Sequence, residues 1–96
     1  MSEIQKKESA ILIYPNPVSE DATIFVQLNT IVNAPVYLTV YNETGQMILT
    51  RKNIQSFFNN KEAKIPLNVS ELNSGIYFIQ ISTTENSYSR KLIIQH

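Results

Sequence analysis

Apolar side chains fall on every second position, run after run, along this chain. In "ATIFVQL" (22–28) Ile24, Val26 and Leu28 share one face. In "VYLTVY" (36–41) Val36, Leu38 and Val40 stand opposite Tyr37, Thr39 and Tyr41. A period of two is the signature of a half-buried strand, and no stretch longer than a turn carries the 3.6 period of an amphipathic helix. The other apolar runs are "AILIY" (10–14), "QMILTRK" (46–52), "AKIPL" (63–67), "GIYFIQIS" (75–82) and "SYSRKLII" (87–94). Turn residues separate them, at spacings of roughly a dozen residues. This pattern predicts an all-β, Ig-like antiparallel β-sandwich of about seven strands. Its core should include Ile24, Val26, Leu38, Val40, Ile65, Leu72, Tyr77, Ile79 and Ile81.

Local chemistry fixes several connections. Pro15 and Pro17 flank Asn16 and end the first run, since proline supplies no ladder donor. Pro66 within "AKIPL" marks an edge or a bulge. Between Tyr41 and Gln46, Asn42 suits the first position of a type I turn and Gly45 the left-handed residue that closes it, so the flanking runs should form a hairpin. In "LNSGIY" (72–77) Leu72 is expected to plug the core under the turn, and Gly75 to relieve a sharp bend where a side chain would clash. Tyr77 should bury its ring and return its hydroxyl to the backbone upstream, as the tyrosine corner of Greek-key sandwiches does.

Ninety-six residues make a single domain. Eight basic and eight acidic side chains cancel, so nothing draws the chain to nucleic acid or an anionic membrane. There is no cysteine, and two glycines cannot build a phosphate loop. The single histidine is terminal, His96, and is read as frayed or as a tag remnant. Thiol–histidine catalysis and histidine metal sites are therefore excluded. No cofactor, no catalytic residue and no metal ligand is expected, and no run of about 18 apolar residues offers a membrane span. Glu20 and Asp21 are adjacent in a loop and read as a solvated turn. The sequons at Asn42 and Asn68 read as turns as well. Tyr14, Tyr37, Tyr41 and Tyr88 read first as cross-strand packing and second as a carbohydrate face. Residues 1–9 form a polar lead or linker without the apolar stretch of a secretory leader. The chain reads either as cytoplasmic or as a piece of a longer secreted protein.

Four motifs in order, "YPNPV" (14–18), "VYNETGQMI" (40–48), "LNSGIYFIQI" (72–81) and "RKLII" (90–94), resemble the C-terminal sorting domain of cargo exported by the type IX (Por) secretion system. The resemblance spans about residues 11–95, with 10–96 taken as the domain and Met1 as an addition to an excised piece. It implies a seven-stranded Ig-like sandwich at the end of a larger cargo protein. It further implies passage from the periplasm through the outer membrane to the cell surface or medium, with cleavage upstream by a sortase-like protease. The expected partners are the outer-membrane secretion and sortase components and the fused N-terminal cargo. Nucleic acid and membrane insertion are not expected, and an edge strand leaves self-association open. Pro15, Asn16 and Pro17 match the family's opening turn, Gly45 its hairpin glycine, and Leu72, Gly75 and Tyr77 its late-strand motif. Arg90, Lys91, Leu92, Ile93 and Ile94 match the terminal strand that resembles its recognition end. Here the tail closes with Gln95 and His96 in place of a basic residue. The competing reading is an Ig-like accessory module that binds glycan or protein through its tyrosine-bearing face. A sorting domain ends its reading frame, whereas an accessory module can stand anywhere in one.

Overall fold

The computed structural model describes residues 9–29, 32 and 34–96. Eight strands follow one another: β1 (Ala10–Tyr14), β2 (Asp21–Gln27), β3 (Tyr37–Asn42), β4 (Met47–Arg51), β5 (Phe58–Asn59), β6 (Glu62–Asn68), β7 (Gly75–Ser82) and β8 (Ser87–Ile94). Two four-stranded sheets result, in the orders β1-β2-β6-β5 and β4-β3-β7-β8. Every pair of neighbours is antiparallel. The only helical segment among the described residues is a 3-10 turn, Ile54–Phe57. The sandwich read from the sequence is the one that forms.

Alternation dictates which residues meet between the sheets. Ile24, Val26, Ile65 and Leu67 from the first sheet face Leu38, Val40, Ile79, Ile81 and Leu92 from the second, all of them buried. Fully burying one such side chain stabilises the fold by about 1.5–3 kcal/mol. Of the expected core, only Leu72 falls short. It is half-buried and packs against the cluster from its turn.

The eighth strand is the departure from the expected seven. β5 has two residues, Phe58 and Asn59, which return onto Ala63 and Glu62 of β6. Asn60, in the intervening turn, takes φ +63°, a left-handed conformation that asparagine tolerates. Two residues cannot display a period, so alternation gives no sign of this strand. Its shortness also explains Pro66. β6 runs on past the end of β5, and the Pro66 carbonyl points to that open side, where Arg51 Nη1 donates to it at 3.1 Å. The missing N–H therefore faces no strand, as an edge position requires.

The Asn42–Gly45 hairpin closes as read. Gly45 N–H donates to the Asn42 carbonyl at 3.0 Å, with Gly45 at φ +88°. Asn42 Oδ1 accepts from the amides of Thr44 and Gln46 and from the Thr44 hydroxyl, at 3.1, 2.9 and 2.7 Å. The Asn68 sequon is likewise a turn: Asn68 accepts from Ser70 N–H and donates to Asp21 Oδ1 at 2.8 Å.

A composite edge at the last strand

The tyrosine corner stands as expected. The Tyr77 ring is buried, and its hydroxyl donates to the Asn73 carbonyl at 2.7 Å. Gly75 is explained differently from the expected clash. A Cβ there would meet nothing nearer than Tyr77 Cε1, at 3.9 Å. What sets the position apart is the backbone, at φ +158°, on the margin of the extended region. His96 is not frayed. Pairing of Gly75 with Ile94 lays the chain end on the turn before β7. There His96 Nε2 donates to the Leu72 carbonyl at 2.6 Å, and its backbone N–H to Ser74 Oγ at 3.1 Å.

β8 lies at the margin of its sheet, with β7 on one side. The five residues matched to the recognition end are not equivalent on it. Leu92 and Ile94 point inward and are 0% and 1% exposed, so in the folded domain their side chains belong to the core. Ile93 is half-buried opposite Ile76. Arg90 and Lys91 are exposed. Lys91 stands on the outer face of its sheet, at the end of a cross-strand row through Phe78, Tyr41 and Met47. Phe78 and Met47 are among the exposed large apolar side chains. Arg90, one residue earlier and opposite Ile79, alternates to the other face.

The free edge of β8 is largely taken. Asn16 Nδ2 donates to the Lys91 carbonyl at 3.0 Å, and Asn16 Oδ1 accepts from Ile93 N–H at 2.9 Å. Val18 N–H donates to the Ile93 carbonyl and Gln95 N–H to the Val18 carbonyl, both at 2.9 Å, in a parallel bridge. Val18 itself is buried and anchors the loop in the core. Higher up, Arg90 Nη1 donates to the Ser89 carbonyl at 2.7 Å. Pro15, Asn16 and Pro17 therefore do more than stop β1: they strap the last strand. Both prolines follow cis peptide bonds. Sequence reading placed the turn but gave no sign of its partner, which lies 75 residues away.

The model of the secretion system C-terminal sorting domain family matches residues 12–95. This chain belongs to that family. The sorting domain is non-catalytic as a family, and it marks proteins for type IX secretion across the outer membrane, to the cell surface or for release. Membership implies a fused cargo and contact with the secretion machinery. No curated protein matches this chain. Among solved structures, dimeric latent PorU from Porphyromonas gingivalis contains a similar fold. The TM-score is 0.64 at 20% identity, over 90% of this chain and 9% of that one. That likeness is one of fold.

The other candidates disperse. Tyr14 lies on the outer face of the first sheet, Tyr37 and Tyr41 on that of the second. Tyr88 packs against the core, its hydroxyl accepting from Ser9 Oγ at 3.2 Å. The four tyrosines thus form no common carbohydrate face. Ser9 apart, the expected linker of residues 1–9 lies outside the described residues. A cleft at the opposite end, lined by Leu28, Val36, Thr83, Glu85, Asn86 and Tyr88, holds one carboxylate, that of Glu85.

Proposed function

We propose that this sorting domain ends a larger cargo protein and carries it from the periplasm through the outer membrane, with Arg90 and Lys91 as the side chains the machinery meets. One observation supports this reading above the rest. The last strand turns Leu92 and Ile94 into the core and leaves two adjacent cations in solvent. Long charged side chains at such a margin set which partners are admitted, because opposite charge across an interface steers and selects. A sortase-like protease would then cut ahead of the domain, in the residues that lead into β1. The domain supplies no chemistry of its own to that step; it supplies the address.

The test is a fusion. Residues 1–96 are joined behind a reporter bearing a cleavable secretory leader and expressed in a bacterium with the type IX apparatus. The reporter reaches the surface or medium. A fusion that stays in the periplasm while native cargo leaves the cell would refute the reading.

A further inference from the structure

The strap changes what recognition at β8 can be. Backbone groups on the outer edge alternate, so those of residues 89, 91, 93 and 95 point away from β7. Among these, the Ser89 carbonyl is taken by Arg90, and the Lys91 carbonyl and Ile93 N–H by Asn16. The Ile93 carbonyl and Gln95 N–H are taken by Val18. An incoming strand needs those groups. Pro15, Asn16 and Pro17 are meanwhile exposed and continuous with Lys91 through the Asn16 bonds.

We propose that residues 15–18 and the exposed side of β8 form one composite docking surface, which a carboxylate-bearing protein partner reads through side chains, with strand addition along residues 91–95 closed off by Asn16 and Val18 together. This rests on the sorting reading and deepens it. Asn16 is the positioning residue. By gripping the backbone on either side of Leu92, it ties the backbone of Lys91 to the strap. The backbone of the docking surface is thereby ordered before a partner arrives, which favours binding. The buried Val18 holds the strap on its other side, so the grip does not depend on the partner. The same closure guards the edge against a second copy of the chain, as covered edges do.

The experiment pairs Asn16→Ala with Asn42→Ala, which loosens the β3–β4 hairpin on the other side of β7 without touching the strap's hydrogen bonds, at matched melting temperature. Hydrogen exchange on the 96-residue chain is the first readout. In Asn16→Ala the Ile93 amide loses its acceptor and exchanges about tenfold faster or more, while Ile79 and Ile81 are unchanged. Unaltered exchange at Ile93 overturns the strap. Export of the fusion is the second readout. Asn16→Ala is exported several-fold less than the parent, and Asn42→Ala is exported as the parent is. If Asn16→Ala is exported equally or better, recognition does not depend on the Asn16 grip and the proposal falls. If Asn42→Ala loses as much, stability alone sets export, and it falls as well. Should Asn16→Ala not fold, Asn16→Asp replaces it, keeping an acceptor for Ile93 while losing the donor to Lys91; export is then the deciding readout, several-fold below the parent as expected, and export at the parent's level overturns the proposal. The parent fusion staying in the periplasm refutes the sorting reading and the docking half of this proposal together. Exchange at Ile93 then decides the edge cover by itself.

Discussion

Tyr77 separates two contributions that one side chain makes. Its ring fills core volume, and its hydroxyl satisfies the Asn73 carbonyl at 2.7 Å. Tyr77→Phe keeps the first and should cost about 0.5–1.5 kcal/mol in urea unfolding, one hydrogen bond's worth. Tyr77→Ala empties the site and should cost about 3–5 kcal/mol. Equal small losses would mean the ring contributes little packing. Gly45 tests backbone alone, because nothing lies within 4 Å of an added Cβ. Gly45→Val should cost about 1–2 kcal/mol through its left-handed φ, and a melt unchanged from the parent would contradict the turn. Both positions were legible in the sequence, since a glycine after Asn-x-x and a tyrosine after Leu-x-x-Gly carry their chemistry locally. Asn16 was half legible. Its turn is written by the flanking prolines, but its hydrogen bonds go to residues that only the folded topology brings near.

Strands were easiest to read where alternation is long. β1, β7 and β8 begin and end where the apolar runs do. β5 escaped because two residues have no period, and the sheet order escaped because alternation tells which face a residue takes and never which strand lies beside it. That is why neither the edge position of β8 nor the strap across it could be read from the alternation. Within β8 the alternation separates packing from contact. Leu92→Ala and Ile94→Ala should each destabilise by about 2–5 kcal/mol, and any loss of export should follow their melting temperatures. Lys91→Ala should leave stability within about 0.5 kcal/mol, as surface changes do. If Leu92→Ala melts with the parent, the inward placement of that residue is wrong.

At the scale of the whole molecule, the N-terminal loop and the C-terminal strand are stitched into one edge, and His96 ties the chain end to the turn ahead of Tyr77. The features shared with the family motifs therefore do not act separately. Prolines, tyrosine corner and terminal strand hold one another, and a chain truncated before β8 lacks the partner of β7, the strap's ligand and two buried side chains together. Such a truncation abolishes export whether or not the strand is read, so it decides nothing about recognition. A charge reversal at the exposed cation does decide it. The direct measurement is surface display of the reporter fusion carrying Lys91→Glu, with the melting temperature of the same 96-residue variant taken alongside. The account predicts a domain that melts with the parent and a reporter held in the periplasm. A Lys91→Glu domain that melts with the parent and is exported at the parent's level would contradict it.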